Sequence, residues 1–183
     1  MSVALTSLGE IALVLGEYSE ADQLAQKGLI LAEKCSDPTQ VPVCLRVLGL
    51  AACGLGDLKG ARRYLHQALE AGMTVRAMPW VLDIFHGIAM LLAAEGEREG
   101  ALELLTLALH HPAYALIMRD RDASLVAQLE AELPPDVAAE AQERGRARDL
   151  EATVAELLIE LQEESVAAGE MVSRPPLPEP RDS

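Results

Sequence analysis

The sequence predicts an all-α protein, a solenoid of antiparallel helix pairs with a C-terminal helical cap. A six-residue phrase begins at Gly16, Gly56 and Gly96, one copy every 40 residues, with an acid after the glycine and alanine five positions on. Such a period is typical of stacked structural units. Half of the residues are apolar but only 3% are aromatic, so Ala and Leu supply the apolar mass, as in helical proteins.

Other positions repeat in the same register and define the unit. Because they lie three or four residues apart, they share one face of a helix. We expect each unit to be helix, turn, helix, with the glycine ending the first helix in a left-handed conformation. Ala61 and Ala101 are expected where the two helices of a unit meet. The equivalent positions include Leu5, Leu45 and Phe85; Leu8, Leu48 and Ile88; Gly9, Gly49 and Ala89; and Ala12, Ala52 and Leu92.

Prolines and caps divide the chain into helices. Pro38, Pro112 and the Pro134-Pro135 pair mark breaks, Pro79 opens a helix, and Asp149 suits an N-cap. The predicted helices are 2–16, 18–35, 41–55, 58–72, 79–95, 98–110, 116–132, 135–147 and 150–164.

Three regions follow from this division. Residues 1–112 form three helix-turn-helix repeats, 113–168 form capping helices, and the proline-rich segment 169–183 is a disordered tail. The last helix has one apolar stripe, which we expect to seal the open end of the solenoid, with partner binding as the alternative. The stripe consists of Leu150, Val154, Leu157, Leu158 and Leu161.

The repeat resembles the tetratricopeptide repeat, a helix-turn-helix unit, although it is longer than the usual 34 residues. Versions of about 40 residues look like those in the sensor regions of large bacterial signalling ATPases and ATP-dependent transcriptional activators. Segment 141–152 resembles the closing part of those regions. The resemblance implies a right-handed solenoid. The matching residues are Leu8, Gly9, Gly16, Tyr18 and Ala21; Leu48, Gly49, Gly56 and Ala61; and Gly96 and Ala101.

Charge restricts the partners. The formal net charge is −14 and the pI about 4.6, and residues 111–183 alone carry 16 acids against 7 bases. A chain that repels phosphate is not expected to bind nucleic acid or an anionic membrane. A basic or amphipathic peptide remains suitable. The uncharged stretch Leu104–Met118 is too short to span a bilayer and no signal peptide is visible, so a cytoplasmic location is expected.

Residues for catalysis, cofactors or metals are not expected. Cys35, Cys44 and Cys53 are nine residues apart and are predicted to be buried small hydrophobes. Adjacent residues His110 and His111 cannot converge on one ion from a helix. The segment 119–122 alternates Arg and Asp and is predicted to be a solvated turn. A phosphate-binding Gly-x-x-x-x-Gly-Lys-Ser/Thr loop is absent from the sequence.

The concave surface is the candidate functional site. Carried over from the resemblance, the groove positions are Thr6, Glu10 and Leu13; Arg46, Leu50 and Cys53; and Asp83, His86 and Met90. None is the Lys or Asn with which chaperone-binding relatives grip a terminal carboxylate, so that activity is not expected. We expect a peptide or helix to bind here. Substitutions of Glu10, Arg46, Asp83 and Met90 are expected to leave folding almost unchanged. The alternative is a groove covered by another domain or by the chain's own last helix.

The resulting hypothesis is a non-catalytic protein-interaction scaffold, the regulatory part of a larger bacterial signalling protein. Two alternatives stay open: a small-molecule-sensing region of an ATP-dependent activator, and a structural oligomerisation unit that self-associates.

Overall fold

The structure is a computed structural model that describes residues 2–114 and 116–172. All regular elements in these ranges are α-helices, which confirms the predicted all-α class. The helices are α1 (Ser2–Val14), α2 (Tyr18–Lys34), α3 (Val41–Gly54), α4 (Leu58–Thr74), α5 (Met78–Glu95), α6 (Arg98–His110), α7 (Leu116–Glu132), α8 (Pro135–Ala147) and α9 (Leu150–Val172).

The repeated glycines end α1, α3 and α5 as predicted. Gly16 and Gly56 have φ of 78° and Gly96 has φ of 93°. At the first turn, the Gly16 N–H donates to Leu13 and the Glu17 N–H donates to Ala12, the paired pattern of a Schellman motif. The same two bonds recur 40 and 80 residues later. Glycine is needed for its backbone conformation alone, since nothing lies within 4 Å of an added Cβ.

Consecutive helices pack against each other from α1 to α6, and the first helices α1, α3 and α5 also touch in succession. Ala61 and Ala101 are fully buried, as expected for residues where two helices meet. Gly49 shows how close the contact is: an added Cβ would lie 2.7 Å from the Leu65 side chain. The repeat thus encodes helices whose small residues permit close packing.

The C-terminal helices fold back on the second helices of the pairs. α7 packs on α6 and touches α5, α8 packs on α6, and α9 packs on α4. Gly145 lets α8 approach, because a Cβ there would lie 2.4 Å from the Glu103 carbonyl oxygen. Arg144 Nε and Arg148 Nη1 donate to the Glu103 carboxylate at 2.8 and 2.7 Å.

The last helix differs from the prediction in place and length. Its stripe is buried through Val154, Leu157 and Leu161, but against the core beside α4 and not at the end beyond α6. A periodic pattern predicts which face of a helix is buried but does not predict which element packs against that face. α9 also continues through 169–172 to Val172, where a tail was expected, and residues 173–183 lie outside the described ranges.

The exposure of the cysteines agrees only in part with the prediction. Cys44 is buried and Cys53 half-buried, but the prediction of a buried thiol is wrong for Cys35, which is exposed beyond the end of α2.

Within the described ranges α5 is long and apolar enough to cross a bilayer by length and composition. More than half of it is buried inside the protein, as the packing of α5 against α3, α4 and α6 requires.

Candidate functional site

A groove runs along the first helices α1, α3 and α5 and is bounded by α7. It contains two cavities, one of about 430 Å³ and one of about 260 Å³. Glu10, Arg46 and Arg121 line both cavities, so the two are neighbouring parts of one groove. The larger is also lined by Val3, Thr6, Ser7, Gln40, Val43, Trp80 and Asp83. The smaller is also lined by Leu13, Val14, Tyr18, Leu50, His86 and Met90.

Eight of the nine groove positions predicted from the sequence line one of these cavities. Their exposure divides them into a floor and a rim. Glu10, Leu13 and Met90 are partly exposed and form the rim. The floor residues are buried: Thr6, Arg46, Leu50, Asp83 and His86. The prediction that substitutions of Glu10, Arg46, Asp83 and Met90 leave folding almost unchanged conflicts with the burial of Arg46 and Asp83.

A chain of opposite charges crosses the floor. Arg46 contacts the Glu10 carboxylate on α1, and its Nε lies 2.8 Å from Asp83 Oδ2 on α5. The second contact has the distance of an ion pair without the alignment of a hydrogen bond. Arg121 Nη2 on α7 donates to Asp83 Oδ1 at 2.8 Å. Arg46 and Asp83 are nearly inaccessible, so this chain is a buried ion-pair network that joins four helices.

The network ends in a buried carboxylate. Asp122 is 0% exposed; its Oδ1 lies 2.8 Å from His86 Nδ1 and accepts from Arg121 Nε at 2.9 Å. The Tyr114 hydroxyl donates to the other oxygen. Burial raises the pKa of Asp122, but His86, Arg121 and Tyr114 together outweigh burial and hold this pKa below its ordinary value. Asp122 is thus kept ionised.

The pKa values of Tyr114 and Arg121, which contact Asp122, are both raised. Burial raises the pKa of Tyr114, and its hydrogen bond to Asp122 raises it further. Burial disfavours the charged guanidinium of Arg121, but Asp83 and Asp122 more than compensate, so the pKa of Arg121 is raised. Tyr114 therefore stays a neutral donor and Arg121 stays a cation at any physiological pH.

Arg121 and Asp122 correct the sequence-based interpretation of segment 119–122. It was predicted to be a solvated turn, but it belongs to α7, and only Arg119 and Asp120 are exposed. The sequence contains one signal that the charged residues of the groove pair with each other. The groove positions alternate in sign from Glu10 to Arg46 to Asp83, which favours pairing within the protein.

The rest of the groove is apolar or weakly polar. Thr6 donates its hydroxyl to the Ser2 carbonyl at 3.1 Å and contacts Cys44 Sγ at 3.3 Å, so its polar atoms are engaged within the protein. Cys53 does not line either cavity; burial raises the pKa of its thiol to about 12, and it stays protonated. The apolar part of the smaller cavity is lined by Leu13, Val14, Tyr18, Leu50 and Met90.

The groove therefore combines an apolar wall with fixed, internally paired charges. Such a surface can hold a ligand side chain and orient its polar groups. Across the described ranges no three His, Cys, Asp or Glu side chains come together as a metal site. No protein-family model, no curated protein and no solved structure matches this chain.

Proposed function

We propose that the protein is a tetratricopeptide-like, right-handed solenoid that acts as a non-catalytic interaction scaffold and binds a peptide or an amphipathic helix in its groove. One observation carries the proposal: two cavities of different chemistry meet at Glu10, Arg46 and Arg121. An extended or helical segment can place an apolar side chain in one cavity and a polar one in the other.

The lining residues define the partner. Leu13, Leu50 and Met90 suit a branched or aromatic anchor in the smaller cavity. The net charge of −14 favours a segment that carries basic residues, which the surrounding field would attract. Glu10 is the accessible acid of the network, with its side chain 43% exposed. A basic ligand group can approach Glu10 while Asp83 keeps Arg46 paired.

The protein contains one tryptophan, Trp80, and it lines the larger cavity. Its fluorescence therefore reports occupancy of the groove. A library of amphipathic basic peptides would be screened by the Trp80 emission shift, and hits would be titrated against wild type. Met90→Lys, on the rim of the smaller cavity, should weaken binding at least tenfold, because it places a cation where the apolar anchor sits.

Ile159→Lys is the matched control, since Ile159 is 58% exposed on α9 and does not line either cavity. It should leave the titration unchanged. Equal weakening by both variants, or an emission shift that Met90→Lys does not affect, would place the peptide elsewhere and refute the proposal.

A small-molecule sensor is the second candidate, because about 430 Å³ lies within the size range of ligand pockets. A thermal-shift screen of cell metabolites distinguishes the two. A single polar metabolite that raises the melting temperature and quenches Trp80, with no peptide doing so, would favour the sensor. A role as the cytoplasmic regulatory part of a larger bacterial signalling protein is compatible with either candidate.

A further inference from the structure

The outer face of α1 is apolar and without a partner among the described residues. Leu8, Ile11 and Leu15 are 51%, 56% and 68% exposed, and they are flanked by Val3 and Val14, which are 56% and 87% exposed and also line the groove cavities. They lie within a single sector of the helix, opposite the buried Thr6, Gly9 and Ala12. Single exposed apolar residues are ordinary on a protein surface, but a continuous apolar helix face marks an interaction site.

The repeat register identifies this face as an interface. The positions equivalent to Leu8 are Leu48 and Ile88, which are 1% and 0% exposed. The positions equivalent to Ile11 are Ala51 and Leu91, both 0% exposed. In α3 and α5 these positions are covered because a preceding helix pair packs against them. The α1 face is thus equivalent to the helix-packing surfaces that α3 and α5 bury within the protein.

The pattern on α1 suits an identical helix. Ala4, Leu8, Ile11 and Leu15 are spaced four, three and four residues apart, the alternation of a two-helix seam. Leu15 follows the last helical residue, but its N–H still donates to Ile11, so it extends the seam. The seam carries no charge: Glu10 is the one charged residue of α1, and it is held by Arg46 on the groove side.

The other end of the repeat array is closed. A head-to-tail stack would need the α1 face of one copy to pack on the last helix pair of the next, but α7 and α8 already cover α6. A symmetric pairing of α1 with α1 remains available, and twofold dimers are the commonest oligomers. We propose that the α1 face, Ala4–Leu15, binds the same face of a second copy of this chain.

The net charge of the protein opposes this pairing but does not prevent it. With a net charge of −14, two copies repel each other, and most of their surfaces would bring acids together. The α1 seam is uncharged, and 16 of the 29 acids belong to residues 111–183. Because the remaining repulsion acts at longer range, salt should screen it and strengthen the dimer. An interface built on ion pairs would show the opposite dependence.

Light scattering coupled to size exclusion tests the proposal over a series of protein and salt concentrations. Wild type should change from monomer to dimer as protein concentration rises, with the midpoint moving to lower protein concentration in higher salt. Leu8→Glu combined with Ile11→Glu should be monomeric throughout. Both residues are exposed, so the variant should keep the wild-type helical circular dichroism.

Ile30→Glu combined with Ile159→Glu is the control, because these residues are 51% and 58% exposed but lie on α2 and α9. It adds the same two charges and should dimerise like wild type. A wild type that stays monomeric at every concentration overturns the proposal and leaves the face to a different protein. A dimer that survives Leu8→Glu with Ile11→Glu, or that the control also abolishes, overturns it too.

Discussion

Arg46 Nε lies 2.8 Å from Asp83 Oδ2, so a buried ion pair joins α3 to α5 beneath the groove. Both side chains are less than 5% exposed. Arg121 reaches the other oxygen of Asp83 at 2.8 Å from α7. Asp83 is therefore shared by two guanidiniums, one from α3 and one from α7.

Removing Asp83 should be among the most destabilising single changes in the groove. Asp83→Ala leaves Arg46 as a buried cation that only the rim residue Glu10 can balance, and breaking a buried pair in this way costs about 3–5 kcal/mol. Chemical denaturation would measure the loss. Glu132→Ala is the control, because Glu132 pairs with Arg98 on the surface and its removal should leave the midpoint nearly unchanged. Similar losses from both would mean that the floor is solvated.

Features set by local conformation could be predicted from the sequence, whereas features that depend on contacts between distant helices could not. Helix ends and turns were predictable because Gly16, Gly56 and Gly96 act through local backbone conformation. Groove positions on α1, α3 and α5 were predicted from the resemblance to the tetratricopeptide repeat, and most of them line the two cavities. Arg121 and Asp122 were not, since their burial depends on how α7 docks on α5 and α6. The placement of α9 on α4 is likewise a long-range contact.

Asp122 should make stability fall in acid. Its pKa is lowered in the folded protein, whereas an unfolded aspartate titrates near ~3.9. The stability it contributes is fully present above the unfolded value and is lost as pH falls from there through the folded pKa. Asp122→Asn should remove this part of the acid dependence. Urea midpoints measured from neutral pH down to strongly acidic pH would test it; parallel curves for wild type and variant would show that Asp122 is not the responsible group.

Glycine substitutions at the C-terminal ends of α2 and α4 should change the stability of the protein. Ser36 and Arg76 have φ of 51° and 52° and close their helices with the same paired bonds as the repeat glycines. A left-handed conformation costs a residue with a Cβ roughly 1–2 kcal/mol. Glycine removes that cost but makes the unfolded chain more flexible, an opposing effect of about 0.4–1 kcal/mol.

Arg76→Gly should therefore raise stability by about 0.5–1 kcal/mol. Gly56→Ala should lower it, because nothing surrounds the added methyl group and the conformational cost remains. Thermal melts of the two variants should move in opposite directions. Shifts of the same sign would mean that the turn changes shape when its residue changes.

Two glycines on neighbouring helices should respond in opposite ways to alanine. A Cβ at Gly145 would lie 2.4 Å from the backbone oxygen of Glu103, which cannot move aside like a side chain. Gly145→Ala should overpack the contact of α8 with α6 and cost roughly 1–3 kcal/mol. At Gly100 the nearest atom is 3.8 Å away, so Gly100→Ala should stabilise α6 by about 0.5–1 kcal/mol. Equal effects in denaturation would contradict the α6–α8 packing.

The last helix should contribute stability through its buried stripe and not through its exposed side. Leu157 is 6% exposed and belongs to the main core, while Ile159, two residues on, is 58% exposed. Leu157→Ala should cost about 2–5 kcal/mol, because truncation leaves a cavity beside α4. Ile159→Ala should change stability by no more than about 0.5 kcal/mol. Denaturation curves for both variants give the comparison. If Leu157→Ala were as mild as Ile159→Ala, α9 would not be docked in solution, its stripe would be free to bind a partner, and the sequence-based alternative for this helix would replace the structural role.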